Sequence, residues 1–173
     1  MFEVLKTSQS RGEYSVFYHR FIKTNKIYSK GIWQQISQSQ AYKIWLGNAF
    51  ESLCYKHISQ IKNVLGISGV YTETSMYNQL GNKKNNGFQI DLIIDRKDAT
   101  INLCEIKYYT SIFTIEKSYY EQLLARKQHF IHHIKTKKQV FYTFVTAFGV
   151  TENKYSLDIV DSEINLTELF KPE

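Results

Sequence analysis

Apolar positions recur at helical spacing through residues 40–65 (QAYKIWLGNAFESLCYKHISQIKNVL), where Ile44, Cys54, Ile58, Ile61 and Leu65 fall on one face. The pattern predicts one long amphipathic helix, closed by Gly66 in a C-cap position. From residue 69 the period shortens to two. Residues 69–76 (GVYTETSM), 88–95 (FQIDLIID) and 101–109 (INLCEIKYY) read as strands. A polar, glycine-containing stretch (NQLGNKKNNG) joins the first two and carries Lys83 and Lys84. RKDAT joins the last two, which predicts an antiparallel hairpin. Helical spacing returns over residues 114–136, with Thr114 as N-cap and Glu116 and Glu121 early in the helix. Residues 139–147 (QVFYTFVTA) read as a strand buried on both faces, 155–160 as a further strand, and 165–170 as a helical turn. Residues 1–39 form a lead-in segment whose YSVFYHRFI stretch fits a short helix; residues 40–173 read as one α/β domain with a mixed sheet flanked by helices.

Composition narrows the class. A chain of 173 residues can bury one core, and 43% hydrophobic with 22% charged residues excludes a disordered chain. A net charge of +6 attracts polyanions, nucleic acid foremost. The 13 Tyr and 11 Phe serve either core packing or base stacking. Cys54 and Cys104 form no CxxC pair, which argues against a zinc site and for buried free thiols in a reducing cytoplasm. The N-terminus lacks a signal-peptide apolar core and no run approaches membrane-spanning length, so an intracellular, membrane-free protein is expected.

The candidate chemistry lies in the hairpin. Glu105 and Lys107 share one strand face, and a turn centred near residue 98 sets Asp91 directly opposite Glu105. Two opposed carboxylates repel unless a cation or a base offsets them. Glu51 falls within the apolar arc of the first helix, with Gly47 one turn earlier removing bulk for a close approach. A carboxylate turned toward the sheet is costly without a partner. Taken singly, each acid also fits a solvated surface, with Lys107 as an ion-pair partner.

Together, Glu51, Asp91 and EIK at Glu105–Lys107 in an α-β-β-β-α-β order resemble the PD-(D/E)xK nuclease superfamily. GNAFESLCYKHI, FQIDLIID and INLCEIKYY are similar to the C-terminal nuclease-like domain of prokaryotic AAA-type ATP-binding proteins, and YSVFYHRFI to the segment that precedes it. The likeness runs from about Tyr14 to about Phe170; Ile90 stands where the motif has proline, and no GxxxxGK[ST] phosphate loop occurs. The resemblance implies a restriction-endonuclease-like core and phosphodiester hydrolysis, in DNA foremost, assisted by Mg²⁺ or Mn²⁺. Asp91 and Glu105 would hold the metal, Lys107 would position or activate water, and Glu51 would support a second cation or a water. An AAA-type ATPase as partner or parent chain, a homodimer, and a catalytically inactive binding module stay open. In such a fold Lys117, Gln122 and Arg126 of the second long helix, with Tyr120 and Lys127 nearby, are candidates to touch nucleic acid, as are Lys83 and Lys84. A solvated helix face is the simpler alternative. Lys135, Lys137 and Lys138 complement the helix dipole, and His129, His132 and His133 read as ordinary helix residues.

Overall fold

The computed structural model describes residues 15–23, 31–79 and 87–171, and the loop with Lys83 and Lys84 lies outside them. Internal contacts divide the chain into two units, Met1–Ala49 and Phe50–Glu173. In the first, a short helix runs into a π-helical turn, Tyr18–Lys23, so residues 15–22 of the YSVFYHRFI stretch are helical. It is followed by α1 (Ile32–Gln38) and the start of α2 (Gln40–Lys56). Phe17 is the hub of an aromatic cluster, with ring centroids 4.8 Å from Trp45, 5.4 Å from Phe21 and 6.3 Å from Tyr42. Much of the aromatic excess near the N-terminus thus packs on itself.

The second unit is built on a five-stranded mixed sheet in the order β1-β2-β3-β4-β5, with β1 Thr72–Gln79, β2 Phe88–Arg96, β3 Thr100–Lys107, β4 Gln139–Thr146 and β5 Ser162–Asn165. The first three strands are antiparallel, and β3, β4 and β5 run parallel. Parallel neighbours need crossovers. The first is α4 (Lys117–Ile134) and the second is the short α5 (Lys154–Ile159). Both crossovers cover one face, where Leu123, Phe130 and Ile159 meet Ile90, Ile93, Ile101 and Leu103. The other face is closed by Phe50 and Cys54 of α2, Ile61 of α3 (Ile58–Val64) and Leu169 of a terminal 3₁₀ turn, against Leu92, Ile94, Cys104 and Ile106. The α/β class, the mixed sheet and the flanking helices agree with the expectation.

Five local readings need correction. The helix expected over 40–65 is interrupted at His57, whose N–H donates to Cys54 O, one residue short of the α-helical partner, while its ring bonds Leu53 O at 2.8 Å. Gly66 closes α3 as expected: its φ is +69°, and Ile67 N–H reaches back to Lys62 O. Ile44 is exposed rather than on the buried face, and a Cβ added to Gly47 would meet nothing within 4 Å, so that glycine permits no close approach. Thr114 does not cap α4; Glu116 holds that position, and the Thr114 hydroxyl bonds Thr151 instead. Residues 155–160 are not a strand, because Asn153 and Ser156 form a reciprocal capping box that starts α5.

Candidate active site

The hairpin register places the chemistry. Leu92 pairs with Cys104 and Ile93 with Leu103, so the next step would set Asp91 against Glu105, as predicted. The ladder ends there instead. On the other side of β2, Ser75 pairs with Ile93 but Tyr77 with Ile90, so Asp91 and Leu92 together oppose Met76. This bulge explains why Ile90 and Ile93, three residues apart, face the same core. It also frees Asp91 from the ladder: its Oδ2 accepts the Ile106 N–H at 2.9 Å, so the carboxylate stands in for a strand partner.

Glu105 and Asp91 are both buried, and Lys107 joins them. Its Nζ lies 2.7 Å from Glu105 Oε1 and 3.7 Å from Asp91 Oδ2. Two further donors reach Glu105 Oε1 from α4: the Tyr119 hydroxyl, and Arg126 Nη1 at 3.4 Å. Tyr55 of α2 ties the other side down, its hydroxyl donating to Asp91 O at 2.7 Å. The site therefore joins β2, β3, α2 and α4 where the paired antiparallel strands part.

Burial foremost raises the Asp91 carboxyl above its ordinary value, Glu105 adds to the rise, and Lys107 and the Ile106 amide oppose it. Glu51 is half-buried; desolvation raises it first, then the charge of Asp91, with Lys107 lowering it. Desolvation alone would lower Lys107, but Glu105 and Asp91 outweigh it and hold the ammonium charged. The Tyr119 hydroxyl is pushed far up by burial and by Glu105, which keeps it a donor. Tyr55 is raised to about 12, chiefly by burial and then by Glu51 and Asp91.

Sequence reasoning thus named Asp91, Glu105 and Lys107, and these meet. Glu51 is coupled to all three electrostatically, but it does not complete a metal-holding group: among the described residues no three acid, imidazole or thiol side chains are arranged to enclose an ion. Every carboxylate contact above falls on Asp91 Oδ2 or Glu105 Oε1, which leaves Asp91 Oδ1 and Glu105 Oε2 to accept another partner. Two hard oxygen donors suit Mg²⁺ or Mn²⁺, whose remaining positions water and phosphate fill.

Arg126, expected to face nucleic acid, instead points inward to Glu105. Lys117 and Gln122 are exposed, with Lys117 3.8 Å from Glu121. Lys127 lies 3.8 Å from Asp161, and the Tyr120 hydroxyl bonds Asp158. Lys138 pairs with Asp95. His129 packs edge-on against Phe88, and His133 meets the Tyr77 hydroxyl at 2.9 Å. Two site residues escaped the sequence reading, Tyr55 and Tyr119. The signal for Tyr119 was present: Tyr119, Leu123, Arg126 and Phe130 form one stripe at helical spacing, and an arginine on an apolar stripe calls for a buried acid.

No protein-family model matches the chain, and neither does any curated protein. Among solved structures it is similar to the crystal structure of a protein of unknown function, AF1548, at 15% identity and a TM-score of 0.45. The likeness covers 68% of this chain and 64% of that one. No described helix is long and apolar enough to cross a membrane.

Proposed function

We propose that this chain is a metal-dependent nuclease-like domain of the PD-(D/E)xK type, hydrolysing phosphodiester bonds in DNA in the cytoplasm. The observation that carries the reading is Lys107, with its ammonium 2.7 Å from Glu105 and 3.7 Å from Asp91, on adjacent strands. Asp91 and Glu105 would hold Mg²⁺ or Mn²⁺, which when bound supplies Lewis-acid polarisation of the phosphate and a more acidic water. The chain's own residues do the rest. Lys107 is held charged, so it acts as a fixed cation that orients a water and offsets developing phosphate charge, rather than as a base. Glu51 adds negative potential beside the site. The bulge and the Ile106 amide orient Asp91.

One observation favours a second reading, an inactive module that binds nucleic acid or protein. Glu105 Oε1 is already met by Lys107, Arg126 and Tyr119, and a carboxylate so neutralised is stable without metal. Calorimetric titration with Mn²⁺, paired with cleavage assays on single-stranded, nicked and duplex DNA, separates the two. Wild type should take up Mn²⁺ and cleave, and Asp91→Ala should do neither. Uptake without cleavage supports the binding module, and a wild type that takes up no metal sinks the enzyme.

A further inference from the structure

Glu105 is held from two directions that differ in kind. Lys107 is its neighbour on β3, so that contact ties the strand only to itself. Tyr119 and Arg126 come from α4 and tie the carboxylate to a second, 18-residue element. They sit two helical turns apart on the stripe that also carries the buried Leu123 and Phe130. The Arg126 guanidinium lies 5.9 Å from the Tyr119 ring centroid, and that ring packs edge-on against Phe113 at 5.8 Å. Both donors are therefore held by packing, and both converge on Oε1.

We infer that Tyr119 and Arg126 are positioning residues for Glu105: by fixing Oε1 they set the direction in which Oε2 is offered to a divalent cation. The inference rests on the metal-dependent reading above and adds the residues that orient its ligand. An arginine beside buried acids also offsets their charge, so charge balance is the rival account. Partners of this kind orient a metal-binding carboxylate, and their loss commonly costs about 10- to 100-fold in metal affinity.

The sign of the effect distinguishes positioning from simple charge balance. If Arg126 only offsets negative charge, removing it deepens the negative potential and Mn²⁺ binds more tightly. If it positions Glu105, removing it weakens binding. Calorimetric Mn²⁺ titrations of wild type, Tyr119→Phe, Arg126→Ala and Arg126→Lys, each with a thermal melt, decide the matter. Tyr119→Phe keeps the ring and the net charge and loses only the hydroxyl; it should bind Mn²⁺ about tenfold more weakly. Arg126→Ala should also bind more weakly, and Arg126→Lys should recover most of the loss. If Arg126→Ala does not fold, Tyr119→Phe alone decides. Wild-type affinity or better in Tyr119→Phe and Arg126→Ala overturns the inference and leaves the metal reading intact. No uptake by wild type overturns both.

Discussion

At Asp91 opposing demands meet: its side chain replaces a missing strand partner, faces an ammonium, and sits beside two other acids. Burial wins, and the carboxyl is raised. The folded state then holds a proton at pH values where the unfolded chain has released it. That contribution to stability is complete in acid and is lost as pH rises through the raised value. Metal-free Asp91→Asn, which can still accept the Ile106 N–H, should therefore melt above wild type at pH 8. The gap should shrink toward pH 4. Melts across that range check it, and a constant or reversed gap would show that Lys107 outweighs burial. The same substitution removes the proposed metal ligand, so stability and metal affinity should move in opposite directions.

At the scale of elements, local signals and packing divide the work. Gly47 lies within α2 and an added Cβ would touch nothing within 4 Å, so Gly47→Ala should stabilise by about 0.5–1 kcal/mol through the helix backbone alone. Asn153 starts α5 by accepting the Tyr155 and Ser156 amides at 2.8 and 2.9 Å, and its amide also bonds Ile115 O. Asn153→Ala should cost about 1–2 kcal/mol in denaturant unfolding. The same cap explains why residues 155–160 form a helix rather than a strand. Residues 155–160 alternate like a strand, but the Asn153–Ser156 box outweighs a short alternation. Thr114 fails as a cap for a similar reason: Phe113 bridges to Val150 and extends the chain until Glu116.

At the scale of the molecule, a net charge of +6 bears on the partner. Binding to DNA through about three phosphates should weaken roughly 40-fold between about 50 and 200 mM salt. Affinity measured across that range tests it, and a flat dependence would point to a protein partner. The sequence alone determined most element types, the hairpin register and the identity of Asp91, Glu105 and Lys107, because periodicity and a short turn are local constraints. Tertiary structure alone decided that β2 bulges at Asp91, that α2 breaks at His57, that Glu51 stays outside a three-acid group, and that Tyr119 and Arg126 close on Glu105. The physical reason is that spacing within a helix or strand specifies which side chains share a face. Which turn of α4 lies over which residue of β3 depends on how the two faces of the sheet pack.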